Sequence, residues 1–138
     1  RKHLLAAIER IARAEAAAAG APKEPTVAVV ESCHATINDP QLNARVTASL
    51  RRVLGAANVV DTAPEMGSED FSEFGAAGIP AVIFSLGAAE PAKFAQAKAA
   101  GTQLPSLHSQ LFAPDRDATI TTGIKAETAV LLDLLGKP

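Results

Sequence analysis

The stretch "PAVIFSLG", Pro80 to Gly87, constrains the chain most. Its apolar residues follow one another instead of alternating, so it has no polar face to offer solvent, and strands covered on both sides read this way. It predicts a buried strand over 81–87. "NVVDTA" is a second strand candidate, so residues 59–86 are expected to supply two neighbouring strands of a sheet. "TVAVVES" reads as a third strand from its β-branched content.

Helical signals alternate with these strands. Leu4, Leu5, Ile8, Ile11 and Ala12 form one stripe, and the alanine run behind them extends a helix to a stop at Gly20. In "INDPQLNARVTASLRRVLG", Asp39 is the N-cap and Pro40 the first helical residue, while Leu42, Val46, Leu50 and Val53 share a face and Gly55 ends the helix. Gly67 and Ser68 open a brief helix over "EDFSEFGAAG". The region 88–114 contains one further helical signal, "EPAKFAQAKAAG"; loops of that length in compact domains are functional or mobile. Asp117 or Thr119 caps a terminal helix with Ile124, Thr128, Leu131 and Leu135 on one face. The order of elements is α/β, a mixed sheet flanked by helices.

Composition excludes several functions. A formal net charge of −2 favours neither nucleic acid nor an anionic membrane as partner. No apolar run approaches the roughly 20 residues that cross a bilayer, and no signal-peptide pattern opens the chain, so a cytoplasmic location is expected. Cys33 is the only cysteine, which rules out an intrachain disulfide and the CxxC pairs of structural zinc sites. With no Trp or Tyr, the core must be built from Ala, Val, Leu, Ile and five Phe. The chain begins at Arg1 inside a helix, which reads as an excised segment.

Four acidic residues, Glu65, Glu69, Asp70 and Glu73, bracket the turn after a strand, where α/β proteins place working groups. The same pattern arises when acids complement a helix dipole, and Ser68 beside Gly67 is an ordinary N-cap. His108 stands in a polar loop; imidazole is a common zinc ligand and the usual acid–base group near neutrality. One histidine does not make a metal site. His34 and His3 read as structural or solvated, and Cys33 next to His34 on a strand would point to the opposite face. No GxGxxG, P-loop or GxSxG pattern is present.

Taken together, "MGSEDFSEF", "GIPAVIFSLG", "LHSQLFAPD" and the closing helix resemble the C-terminal part of bacterial N-acyl-amino-acid amidohydrolases of the hippurate hydrolase and aminoacylase type. These belong to the dinuclear zinc peptidases that include carboxypeptidase G. "ATINDPQLN" resembles the segment that returns from the family's small lid domain. The resemblance implies that residues 1–35 end an α+β lid and dimerisation domain, and that residues 36–138 form the C-terminal part of a zinc-peptidase-like catalytic domain. It implies that His108 binds one of two divalent metals (zinc, or alternatively manganese, cobalt or nickel), while Ser68, Glu69, Asp70 and Asn38 line the cleft. The remaining metal ligands and the catalytic Glu have no counterpart in this chain, so the segment alone is expected to be inactive. The implied substrate is an N-acyl amino acid or small peptide, and the implied assembly a homodimer. The alternative is a noncatalytic relative serving dimerisation or ligand binding.

Overall fold

Helical signals in the sequence become helices in the computed structural model, which describes residues 1–67 and 69–136. The chain divides into two compact units, Arg1–Cys33 and His34–Pro138. The first unit holds α1, Lys2–Ala18. Its stop is chemical: Gly20 takes φ 63°, and the N–H groups of Gly20 and Ala21 bond back to the carbonyls of Ala17 and Ala16, which satisfies the last turn. Arg13 bridges Glu9 at 3.0 Å and Glu24 at 2.9 Å, tying the segment after the helix to its side. Leu4, Ile8 and Ile11 form the predicted stripe, yet each is at least half exposed.

The second unit is organised by α2, Pro40–Leu54, and α5, Arg116–Leu135, which pack against each other. Asp39 caps α2 by accepting the Leu42 N–H at 2.8 Å, an interaction worth about 1 kcal/mol, with Pro40 in the first turn as expected. Gly55 ends α2 at φ 89°, a conformation that strains any side chain, and a 3₁₀ turn, Ala56–Asn58, follows. Val46 and Leu50 are buried against Ala126 of α5, which is 0 % exposed. Burying each of the two larger side chains contributes roughly 1.5–3 kcal/mol. Ser49 and Ala126 are small, so the helices approach closely, and the Ser49 hydroxyl donates to the Ala129 carbonyl at 3.3 Å. At the rim Arg45 donates to the Asp133 carboxylate at 2.8 Å and to its carbonyl, and Arg52 lies 3.6 Å from the same carboxylate. Two short helices complete the unit: α3, Ser72–Ala76, and α4, Pro91–Ala99. No helix among the described residues is long and apolar enough to cross a membrane.

The α/β expectation is overturned. Among the described residues the regular structure is helical, with no strand in "TVAVVES", "NVVDTA" or "AVIFSLG" and hence no mixed sheet. A strand exists only when its backbone groups meet a ladder, and β-branched content measures fit to such a surface more than any intrinsic preference. Around Ala81–Ile83 the partner is no strand. The Asp39 N–H donates to the Ala81 carbonyl at 2.9 Å, and the Asn38 side-chain amide takes both backbone groups of Ile83, each at 2.9 Å. One amide thus does what a rung of a sheet would do, on one side only. Ile83, Phe84 and Leu86 stay exposed, so the two-sided burial read from the apolar run is also corrected.

The terminal helix starts earlier than expected, because Asp115 is its cap: the Asp115 carboxylate accepts the Ala118 N–H at 3.3 Å. Its buried side is also different. Ala126 and Val130 pack on α2, whereas Ile124, Leu131 and Leu135 face outward. A methyl group at the point of closest approach outranks larger side chains elsewhere, since only a small residue fits there.

Candidate functional site

His108 owes its position to two consecutive turns. The Ser109 N–H bonds to the Ser106 carbonyl at 3.1 Å and the Phe112 N–H to the Ser109 carbonyl at 3.0 Å, while the Ser109 hydroxyl accepts the Leu111 N–H at 3.2 Å. In the first of these turns His108 is the third residue, where a positive φ is the province of Gly and Asn. His108 takes φ 67°, the one non-glycine residue among those described to do so. A side chain held there costs about 1–2 kcal/mol. The ring is exposed and, among the described residues, makes no hydrogen bond or ion pair. Both its nitrogens are open to a ligand.

The acidic turn is built differently. The Glu69 carboxylate accepts the Phe71 N–H at 3.1 Å, and the Ser72 hydroxyl, almost fully buried, donates to the Glu69 carbonyl at 3.0 Å. These bonds shape the turn that leads into α3, whose N-cap is Phe71 without a side-chain cap bond. Asp70 is exposed, with its carbonyl bonded to the Glu73 N–H. Ser68 lies outside the described residues. Asn38 is half-buried and occupied by Ile83, with a weaker donation to Asn43 at 3.4 Å. Glu65 is exposed.

A contact that the sequence did not announce joins His34 to Glu73. One oxygen of the Glu73 carboxylate lies 2.8 Å from His34 Nδ1 and 3.4 Å from the His34 backbone N–H. The carboxyl is held below its ordinary value of 4.5, first by the hydrogen bond from the His34 ring and then by the one from its backbone, against a small opposing effect of desolvation. The two residues are 39 positions apart and carry no shared motif, so no local signal points to the pair.

No hydrogen bond or ion pair joins His108, Glu69, Asp70 and Asn38 to one another among the described residues. Nor, among the described residues, do three or more His, Cys, Asp or Glu side chains converge where a metal could sit. Zinc centres take three or four protein donors, so the described residues do not by themselves fit a metal.

The sequence model of Peptidase family M20/M25/M40 matches residues 7–108, which takes in both units of the chain and ends on His108. No solved structure matches the chain.

Proposed function

This chain belongs to peptidase family M20/M25/M40, and from that membership we propose that it serves the metal-dependent hydrolysis of amide bonds in N-acyl amino acids or small peptides. Members of the family are hydrolases that generally use divalent metal ions. The narrower placement, with the hippurate hydrolase and aminoacylase type, rests on "MGSEDFSEF", "LHSQLFAPD" and "ATINDPQLN". His108 carries the reading: its ring has no partner among the described residues, and its backbone holds a conformation that chains tolerate mainly where geometry is put to use.

In this account the chain gives one donor, His108, to a centre of two divalent ions, zinc first, and the other donors come from outside the described residues. Glu69, Asp70 and Asn38 contribute to the cleft wall as shaped backbone and polar surface, and Ser68 belongs with them. The test is turnover of N-acetyl amino acids. The purified chain supplied with zinc, manganese or cobalt is expected to show none. The metal-loaded enzyme that contains this chain is expected to turn over, to stop with a chelator and to recover with added metal. Turnover by the chain alone would overturn the single-donor assignment, and turnover indifferent to chelation would overturn the metal dependence.

A further inference from the structure

Beside the His34–Glu73 pair lies a hollow of about 370 Å³, within the size range of small-molecule sites. Phe71, Ile37, Ala76 and Ala81 line it with apolar surface, and His34 is the one ionisable side chain in its wall. Ser72 also lines it, but its hydroxyl is committed to the Glu69 carbonyl. Any polar recognition by a side chain in this hollow therefore falls to His34, with Thr36 as the remaining hydroxyl.

Glu73 decides what His34 can do. With Nδ1 at 2.8 Å from a carboxylate oxygen, which can only accept, the proton on that side of the ring belongs to Nδ1. Nε2 is left as the working atom, and the second bond from the His34 backbone N–H keeps the carboxylate in register with the ring. A carboxylate orients the imidazole in this way in many metal-ligating histidines, where the far nitrogen is the one that binds. A ligand amide pairs with Nε2 in either state, its NH2 donating to the bare nitrogen or its carbonyl accepting from the protonated one, but neither bond brings a negative charge to the ring. A carboxylate pairs with Nε2 when that nitrogen carries a proton taken up from solvent, and the bond is then charge-assisted and about twice as strong as its neutral counterpart.

From the oriented ring and the apolar hollow together we infer that His34 and Glu73 form a binding site for a small monocarboxylate, with the carboxylate on His34 Nε2 and a short apolar tail against Phe71 and Ala81. Nothing in this inference depends on amide hydrolysis, and its test reads binding without turnover. Hexanoate is titrated into the isotope-labelled chain while the His34 ring nitrogens and the methyl groups of Ala35, Ala76 and Ala81 are followed by NMR, with hexanamide as the uncharged control.

Saturable shifts with hexanoate are expected, at least tenfold weaker with hexanamide and at least tenfold weaker for hexanoate in His34→Ala. Gly75→Leu is the second variant. An added Cβ at Gly75 meets no atom within 4 Å and Leu is the better helix former, so the fold is kept while one lining position gains bulk. It is expected to lose hexanoate binding with the signals of α2 and α5 unmoved. Absence of saturable shifts in the unaltered chain, equal affinity for hexanamide, or unchanged hexanoate affinity in both variants would each overturn the inference.

Discussion

At the scale of single residues, backbone conformation separates His108 from the other histidines. If its positive φ is kept for the sake of the ring, then His108→Gly trades function for stability: glycine enters that region freely but carries more unfolded-state entropy. A gain of about 0.5–1 kcal/mol in urea denaturation is expected, together with loss of the donor nitrogen. A loss of stability would show instead that the ring packs against the fold. Glu73 gives a second prediction. Its carboxyl is held low in the folded state, so the contribution of the His34 bond is complete above the ordinary value of 4.5 and disappears as pH falls through the lower folded value. Unfolding midpoints of Glu73→Gln and the unaltered chain should therefore differ above pH 4.5 and converge in stronger acid; a constant difference across that range would contradict the assignment. The role proposed for His108 rests on "LHS", whereas its φ was not legible, because a turn that forces the third residue left-handed normally advertises itself with Gly or Asn. Glu69 was legible as part of a turn, and its bond to the Phe71 N–H joins two residues near enough in sequence for such a contact to be local.

At the scale of elements, local chemistry was legible and partnership was not. Asp39 and Pro40 specify the start of α2 within three residues, and Gly20, Gly55, Gly78 and Gly101 all take the positive φ that helix ends and the turns beyond them use. A cap can be read because its partners are neighbours in sequence. The three strand assignments failed because a strand's partners are not, and here the side chain of Asn38 stands where a neighbouring strand was expected. The buried side of α5 was missed for a related reason: the periodicity of Ile124, Leu131 and Leu135 is real, but Ala126 is the residue that fits at the crossing with α2. Two substitutions test these points by urea unfolding. Asp39→Ala should cost about 1 kcal/mol. Ala126→Leu should cost about 1–3 kcal/mol by forcing α2 and α5 apart, although it adds apolar surface to the core; a neutral or stabilising result would show that the two helices are not in close contact there.

At the scale of the whole molecule, the buried hydrophobic residues among those described are few, Val46, Leu50 and Ala126, and many large apolar side chains lie at the surface. Family membership points to metal-dependent hydrolysis, and we assign this chain one ring nitrogen for it, that of His108. The claim most open to failure is that this nitrogen binds a metal on which hydrolysis depends. The direct measurement is kcat together with bound metal per enzyme for the metal-loaded enzyme carrying His108→Ala, with circular dichroism to verify the fold. Changes to groups that merely orient a ligand cost about 10–100-fold, so removing the ligand itself should lower kcat by more than about 100-fold and bound metal from two ions toward one. A folded His108→Ala enzyme that retained both metals and near-native kcat would show that His108 is a turn residue and no ligand.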